Sequence, residues 1–506
     1  MAHSSSMAVR VREKRSSPCT APPTCSTPNR VGHHRGGVLV VGPHHPYLAY
    51  VSDVLPSLGE EGVQTATLHD LVAEGATAAV ETDCNVARLK SSAEFVMAIE
   101  AAVQFYEQPP AKGMTVETEW SDIWLSATDW AEAFEAAEPG VPHNEARDLV
   151  WETLLTILID KETEEIQPES IRNALLRNRE LQVAFGRAWP LLEAADVVGD
   201  LWSVPAYLRN CAPWLTAEDV NALQRTDPHS WTTSDLPLLD AARHRLGDPE
   251  SSRRSRHLEI EIAAQQARMA DVVADLVDSD DSEMLVMSML RGDDLKNALI
   301  DDAALPTTDP DLLAGPFAHI VVDEAQELTD AQWHMLLRRC PSRSFTIVGD
   351  RAQARHGFTQ SWQKRLQRIG LDRISVASLN INYRTPKEVM ADAEPLIHAA
   401  IPDANVPTSV RSSDLPVIHG SVSELQSILD DWLASHAEGL ACVIADPMFE
   451  TTPRIRSLTA ELSKGLEFDL VVLIDPDTFG TGIEGAVDRY VAMTRATQQL
   501  VILTSG

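Results

Sequence analysis

Two acidic residues follow a short apolar run and have the chemistry of a metal site. In "HIVVDE" (319–324), Asp323 and Glu324 come directly after the apolar residues. Asp323 can hold Mg²⁺, and the neighbouring Glu324 can also contact the ion and can orient and deprotonate an attacking water. The residue types therefore predict a magnesium site with Glu324 as its general base. A solvated acidic surface pair is the alternative that this motif leaves open.

A second polar group follows the next apolar run. In "TIVGDRAQ" (346–353), Asp350 and Gln353 lie just past the apolar residues. Because the carboxyl ends of neighbouring parallel strands meet at one edge of a sheet, both motifs are expected at the same edge. Gln353 could reach a transferring phosphoryl group or its water. The alternative is a plain strand–turn–helix in which Asp350 caps the helix.

The C-terminal part of the chain contains basic and aromatic residues that suit an anionic ligand. "LNINYRT" (379–385) contains Tyr383, which can stack on a base, and Arg384, which can neutralise charge on a phosphoryl group. "SKGLEFDLVVLIDP" (463–476) contains further candidates before an apolar run, and "TRATQQLVIL" (494–503) places Arg495 just before the last one. A structural arginine–carboxylate pair is the alternative for Arg384.

Five continuous apolar runs must position these residues. They are "GVLVVG" (37–42), "HIVVDE" (319–324), "FTIVGD" (345–350), "LVVLIDP" (470–476) and "LVILTS" (500–505), with shorter candidates at 374–379 and 441–446. Continuous rather than alternating runs are typical of parallel strands covered on both faces. Between about 65 and 310 the apolar spacing is helical, as in 144–165, 168–198 and 252–279. The sequence therefore predicts an α/β protein with a helical insertion.

Composition limits the classes of partner. The 506 residues have a formal net charge of −33, which repels bare DNA or RNA unless a local basic groove exists. A partner with a large basic surface is favoured by electrostatic steering, although simple solubility would also explain the acidity. The six cysteines form no C-x-x-C pair, and no apolar run suits a membrane span or a secretory signal. We therefore expect a cytoplasmic protein with no membrane partner and no structural zinc.

The motifs, in this order, resemble those of UvrD/Rep-like superfamily 1 helicases and ATPases, from 319 to 353, 379 to 384 and 463 to 503. The resemblance implies two RecA-like P-loop NTPase domains with ATP and Mg²⁺ between them. It implies metal and water handling by Asp323 and Glu324, and γ-phosphate contacts by Gln353, Arg384 and Arg495. It implies nucleotide binding by Tyr383, Lys464, Gly465 and Glu467, with Glu467 on the ribose. The segment "ARHGFTQSW" (354–362) departs from the aromatic and Phe-Arg-Gly segment that engages single-stranded DNA in those helicases.

Most of 37–506 more closely resembles HelD-type, RNA-polymerase-associated recycling ATPases. The residues that support this are "GVLVVGPHHPYLAYVSDVLPSLGE" (37–60), "WTTSDLPLLDAA" (231–242), "VVDEAQELTDAQW" (321–333) and "GAVDRYVAMTRATQQLVILTS" (485–505). The resemblance implies an ATP-driven motor that frees RNA polymerase from nucleic acid or inhibitor. A non-hydrolysing polymerase-binding remnant and a DNA helicase of UvrD/Rep type are the alternatives. DNA or RNA is then a secondary partner.

A phosphate-binding G-x-x-x-x-G-K-[ST] loop is absent from the sequence. The family has it before the first strand, where this chain has "MAVRVREKRSSPCTAPPTCSTP" (7–28). Back-translated and read one base earlier, Met7 and Ala8 give glycine, and residues 8–15 can then yield Gly-Thr-Gly-Thr-Gly-Lys-Thr, which completes a G-x-x-x-x-G-K-T motif. An amphipathic helix can follow it. Our hypothesis is therefore that residues up to about 26 are an out-of-frame copy of the loop, and an ordinary disordered tail is the alternative. Without the loop we expect weak ATP binding and little hydrolysis.

These observations predict four segments. Residues 1–36 are a non-native or disordered tail. Residues 37–65 with 311–373 form an incomplete first RecA-like domain, residues 66–310 are its helical insertion, and residues 374–506 form the second RecA-like domain.

Overall fold

The computed structural model describes residues 7–11, 37–54, 63–163, 166–248, 313–355, 361–378, 380–402, 404–446 and 449–505. The chain divides into two compact units, the first formed by residues 1–77 with 313–506 and the second by residues 78–312. Of the predicted helical segments, 252–279 lies outside the described residues. The four segment boundaries assigned from the sequence stay a prediction.

Fifteen strands occur in the described residues. They are β1 (Met7–Val11), β2 (Val38–Val41), β3 (Gln64–Ala66), β4 (Met114–Glu117), β5 (Asp122–Leu125), β6 (His319–Val322), β7 (Phe345–Gly349), β8 (Ile374–Ala377), β9 (Ile381–Asn382), β10 (Thr408–Ser409), β11 (Ile418–Ser421), β12 (Ala441–Ile444), β13 (Ile455–Leu458), β14 (Phe468–Ile474) and β15 (Ala496–Thr504).

Sixteen α-helices occur in the same residues. They are α1 (His45–Val54), α2 (Cys84–Lys90), α3 (Ala93–Gln104), α4 (Ala127–Glu135), α5 (His143–Asp160), α6 (Pro168–Arg177), α7 (Arg179–Ala188), α8 (Ala194–Ser203), α9 (Pro205–Cys211), α10 (Ala217–Leu223), α11 (Leu236–Leu246), α12 (Asp330–Arg339), α13 (Trp362–Arg368), α14 (Lys387–Ala400), α15 (Leu425–Ser435) and α16 (Gly482–Thr494). None of the helices in the described part of the chain is long and apolar enough to span a membrane.

The first unit contains a six-stranded sheet in the order β3-β2-β6-β7-β1-β8. The strands β3, β2, β6 and β7 run parallel. Apolar runs predicted β2, β6 and β7, whereas the short β3 was not predicted. The strand β1 runs antiparallel to both of its neighbours, β7 and β8. Residues 7–11 are therefore a strand rather than part of a disordered tail, while the rest of 1–36 lies outside the described residues.

A second, five-stranded sheet of the same unit has the order β11-β15-β14-β12-β13, with every pair parallel. On β14, Val471 and Leu473 pack against α14 and α16, whereas Leu470 and Val472 pack against α15. All four side chains are fully buried, which is worth about 1.5–3 kcal/mol each. Because helices cover both faces, the strand has no polar alternation, which explains its continuous apolar run.

The second unit consists of α2 to α11 and a two-stranded antiparallel sheet of β4 and β5. Its helices begin at capping residues that the sequence contains, such as Asp83, Ser126 and Thr216, whose side chains accept backbone N–H groups of the first turn. The core includes Trp130, Leu154 and Trp189. Helices therefore occur where the sequence has helical spacing, as at 143–160 and 168–203, whereas the β4–β5 hairpin was not predicted and the helical insertion stays a prediction.

Candidate nucleotide and magnesium site

The carboxyl ends of β2 and β6 lie side by side, next to the predicted metal ligands Asp323 and Glu324. Val41 pairs with Val322, and the Asp323 N–H donates to the Val41 carbonyl at 3.0 Å. Glu324 then adopts a left-handed backbone conformation with φ of 52°, which few residues other than glycine or asparagine tolerate. Its N–H donates to Asp323 Oδ1 at 2.8 Å. Such strain at a strand end is typical of functional sites, because the surrounding structure has to maintain it.

A chain of hydrogen bonds connects Glu324 to a distant arginine. Gln326 Nε2 donates to Glu324 Oε2 at 2.5 Å, and Gln326 Oε1 accepts the Asp350 N–H at 3.0 Å. Gln353 Nε2 donates to Asp350 Oδ2 at 2.9 Å, and Arg495 donates through a terminal nitrogen to Gln353 Oε1 at 3.3 Å. The last four residues are buried. A buried network whose members pair with one another favours a single arrangement of these side chains.

Two charged groups of this network have shifted pKa values. Burial raises the pKa of Glu324, and the negative charge of Asp323 raises it further, against the opposing effects of Arg495 and Lys464. Burial lowers the pKa of the Arg495 guanidinium, which is 1% exposed, while Glu324 acts in the opposite direction. A carboxyl with a raised pKa that is electrostatically coupled to a buried cation has the properties expected of a general base.

Lys464 and Gly465 meet residues from the first strand–helix turn of the same unit. Lys464 Nζ donates to Glu327 Oε1 at 2.5 Å. His44 Nδ1 accepts the Tyr47 N–H at 3.2 Å, so its Nε2 carries the proton and donates to the Lys464 carbonyl at 2.9 Å. Gly465 has φ of 75°, and a Cβ there would lie 2.6 Å from the Tyr47 ring. Only glycine fits this position, because both the backbone and the space exclude a side chain.

Tyr47 also contacts the predicted metal ligand. Its hydroxyl donates a short hydrogen bond to Asp323 Oδ2. Both carboxylate oxygens of Asp323 are therefore engaged within the chain, one by Tyr47 and the other by the Glu324 N–H.

Arg384 lies on a rigid turn and contacts Glu467. Asn382 Oδ1 accepts the N–H groups of Arg384 and Thr385 at 2.8 and 3.1 Å, which fixes the backbone before α14. The guanidinium lies 2.9 Å from Glu467 Oε1 and donates to the Leu466 carbonyl at 2.7 Å. Arg384 is buried. The arginine–carboxylate pair that the sequence left open is thus present.

A pocket of about 290 Å³ lies at the ends of these strands. Its charged lining residues are Asp323, Glu324, Glu327, Arg355, Glu461 and Lys464. Arg355 pairs with Asp488 at 3.0 Å and with Glu461 at 3.5 Å. The cations around the pocket are therefore already paired with carboxylates.

Most of the candidate residues lie either around Glu324 and the pocket or in the Arg384–Glu467 pair. Tyr383 belongs to neither group. Glu324, Gln353 and Arg495 share the hydrogen-bonded network, and Lys464 lines the pocket with Asp323. Arg384 pairs with Glu467, whose charge also acts on Arg495. Tyr383 is 65% exposed. The sequence-based reasoning missed Tyr47, His44, Gln326 and Glu327, although "GPHHPY" (42–47) and "DEAQE" (323–327) follow two of the predicted strands and were a signal for them.

The donor set fits magnesium better than a complete triphosphate. Mg²⁺ in phosphate-handling sites uses one or two carboxylates, with phosphate oxygens and waters as its other ligands, and Asp323 with Glu324 matches that pattern. Among the residues that the structure describes, no group of three or more His, Cys, Asp or Glu side chains is arranged to hold a metal alone. A glycine-rich phosphate loop with its lysine is absent from the sequence. In P-loop proteins that loop supplies the backbone N–H groups that surround the phosphate oxygens.

A family of known proteins matches part of the sequence. Residues 292–504 match the model of the viral superfamily 1 RNA helicase core domain, which is less than half of the chain. The search of curated proteins finds no match.

Solved structures with some likeness are helicases. The C-terminal domain of a possible DNA helicase from Lactobacillus plantarum WCFS1 is 15% identical, with 24% of this chain and 88% of that chain covered and a TM-score of 0.19. Arterivirus nonstructural protein 10, a helicase solved in complex with DNA, is 19% identical over 40% of this chain, with a TM-score of 0.23. This chain spans 41% of the arterivirus protein. Because these TM-scores lie far below 0.5, only the sequence match supports an assignment: residues 292–504 are similar to a superfamily 1 helicase core.

Proposed function

We propose that this chain is a helicase-like motor ATPase of superfamily 1 with two RecA-like domains, and that it binds ATP weakly. The carrying observation is the side-chain network from Glu324 through Gln326, Asp350 and Gln353 to Arg495. It joins the ends of β6 and β7 to the last turn of α16. In phosphoryl-transfer enzymes a group that orients the attacking water and an arginine that stabilises transition-state charge act on the same phosphoryl group.

Each candidate residue has a role in this proposal. Asp323 and Glu324 hold Mg²⁺, which would neutralise charge on the phosphates when bound. Glu324, with its raised pKa, accepts the proton of the attacking water. Gln353, Arg384 and Arg495 contact the γ-phosphate.

The nucleotide's base and sugar have their own contacts in this proposal. Tyr383 is exposed and free to stack on the adenine. Glu467 bonds the ribose, next to Lys464 and Gly465.

Turnover is expected to be low in this chain. Lys464 is committed to Glu327, Arg384 to Glu467 and Arg495 to Gln353. Each cation must exchange a partner before it binds phosphate, and the missing loop supplies no replacement. A non-hydrolysing binding module is therefore the second candidate, and this pairing of the cations favours it.

An ATPase assay separates the two candidates. The chain is compared with a variant in which residues 8–15 are replaced by Gly-Gly-Thr-Gly-Thr-Gly-Lys-Thr and followed by the predicted helix. We expect little hydrolysis from the chain and measurable, magnesium-dependent hydrolysis from the variant, which its Glu324→Gln form loses. Robust hydrolysis by the unaltered chain contradicts the weak-site proposal, and stimulation by single-stranded DNA would favour the UvrD/Rep alternative.

We further propose that the partner is the RNA polymerase core enzyme. The net charge of −33 supports a basic protein partner, because a channel that holds nucleic acid presents such a surface. Co-purification of the chain with bacterial core enzyme, retained at low salt and weakened at high salt, is the expected result. Preferential retention of single-stranded DNA over the enzyme would contradict this partner.

A further inference from the structure

The hairpin of residues 114–125 in the second unit uses only one of its faces for folding. Val116 and Ile123 are opposite each other and are 1% and 4% exposed. With Leu125 they pack into the core of this unit beside Trp130 and Leu158. The alternation of the pleat then turns the intervening side chains outward. This outward set, with the turn that joins the strands, is called here the acidic hairpin face.

Large aromatic side chains lie on the acidic hairpin face without cover. Trp124, opposite Thr115, is 57% exposed, and Trp120 in the connecting turn is 42% exposed. Single exposed apolar residues are common on protein surfaces. These two indoles do not contribute to the core, because the core side chains of this short hairpin lie on its opposite face. Tryptophan is, however, the residue type most enriched at the energetic centres of protein interfaces.

The same face has an unbalanced negative charge. Glu117 lies directly opposite Asp122, an arrangement of like charges that destabilises a hairpin. Between Lys112 and Arg147 the sequence contains no lysine or arginine. In the part of the chain that the structure describes, Glu117, Glu119 and Asp122 form no ion pair.

A lysine that reaches the hairpin backbone is bound to other acceptors. Lys161 Nζ pairs with Asp129 and donates to the Trp124 carbonyl at 3.1 Å. It is thus held against the base of the hairpin by two other acceptors.

We propose that the acidic hairpin face docks onto a basic surface of a protein partner. Arginine or lysine side chains of that partner would pair with Glu117, Glu119 and Asp122 and lie over the exposed rings of Trp120 and Trp124. Cation–π contacts with the indole rings and ion pairs with the carboxylates would both stabilise such an interface. A nucleic acid is the poorer occupant, since its phosphates meet three carboxylates. The inference deepens the partner part of the proposed function and rests on it for the choice of RNA polymerase as a probe.

The test compares three variants of the full chain in binding to bacterial RNA polymerase core enzyme. Trp120→Ala/Trp124→Ala removes the rings, and Glu117→Gln/Asp122→Gln removes the opposed charges. Trp214→Ala is the control, because that ring is 45% exposed in the same unit but lies outside the hairpin. Thermal unfolding of each variant checks that the fold is kept. We expect about a tenfold or greater loss of affinity for both hairpin variants and no change for the control.

A second arm separates this inference from the choice of partner. Fluorescein-labelled arginine-only peptide and single-stranded DNA of equal length are titrated against the same proteins. If the polymerase binds all variants equally, the hairpin inference is wrong and the polymerase partner stands. If the polymerase binds none, the partner is wrong and the peptide decides: loss of peptide binding in the hairpin variants supports the inference, and unchanged binding overturns it. Single-stranded DNA that binds tightly and depends on the two tryptophans also overturns it.

Discussion

Tyr47 is the residue that most changes the interpretation of the magnesium site. The carboxylate pair at 323–324 could be proposed as a metal site from the sequence because it directly follows a continuous apolar run. The tyrosine hydroxyl that engages Asp323 was not readable, because 276 positions separate the two residues and no local pattern joins them. The bond occupies an oxygen that a metal ion would need.

Replacing Tyr47 by Phe is expected to separate stability from magnesium binding. Loss of the hydroxyl removes one hydrogen bond to a charged group and lowers the free energy of unfolding by about 1.5 kcal/mol. It also frees Asp323 Oδ2, so magnesium should enhance binding of a fluorescent ATP analogue more strongly than in the unaltered chain. Tyr106→Phe is the matched control, because Tyr106 donates to Asp200 at 3.3 Å in the second unit. Weaker magnesium dependence in Tyr47→Phe, with the control unchanged, would argue against Asp323 as a metal ligand.

His44 makes the stability of the same site sensitive to pH. Burial lowers the pKa of His44 from its ordinary value of 6.5 despite its bond to the Lys464 carbonyl. The unfolded chain therefore takes up the proton first, and the stability contributed by neutral His44 is lost as the pH falls below about 6.5. His44→Gln should lose less stability than the unaltered chain between pH 7.5 and 5.5 in chemical unfolding. The exposed His419→Gln is the control, and equal pH dependence in all three proteins would exclude this role for His44.

At the scale of elements, the strands were predictable and their irregular neighbours were not. The runs at 37–42, 319–324, 345–350 and 470–476 became strands because sheet neighbours and helices cover them on both sides. The β4–β5 hairpin was missed because four residues per strand are too few to distinguish alternation from a helical stripe. The antiparallel β1, MAVRV, was missed because its apolar residues were assigned to the basic tail that contains them.

The loop before β14 packs closely against α1, where Gly465 lies next to the ring of Tyr47. Gly465→Ala adds strain from φ of 75° and a methyl group 2.6 Å from the Tyr47 ring, so we expect a loss of about 3 kcal/mol in the free energy of unfolding. Gly370→Ala is the control, because its φ of 88° is equally strained but no atom lies within 4 Å. It should cost about 1 kcal/mol. Equal losses for the two variants would mean that contact with Tyr47 is not what restricts position 465.

At the scale of the whole molecule, the division into two units should be visible in unfolding. Leu154 and Leu470 are fully buried, in the second and first units respectively. Each substitution by alanine is expected to cost about 3 kcal/mol and to lower the calorimetric transition of its own unit only. A single transition that both variants shift equally would show that the units unfold together.

Of the properties of the composition, the net charge gave the clearest indication of function, and it indicated only the class of partner. A net charge of −33 made bare nucleic acid an unfavourable ligand, but it could not indicate which surface a basic partner would contact. That surface requires the pairing register of β4 and β5, which places Glu117 opposite Asp122. Pairing register depends on the structure, because a slip by one residue would turn the same side chains inward.

Binding of a fluorescent ATP analogue, with and without Mg²⁺, tests the central claim most directly. The claim is that the network from Glu324 to Arg495 is a nucleotide site that has kept its ligands without its phosphate loop. The account predicts weak, saturable, magnesium-dependent binding that Arg495→Ala reduces about tenfold and that Arg172→Ala, in an exposed ion pair of the second unit, leaves unchanged. Binding that is independent of Mg²⁺ and equal in both variants would contradict it.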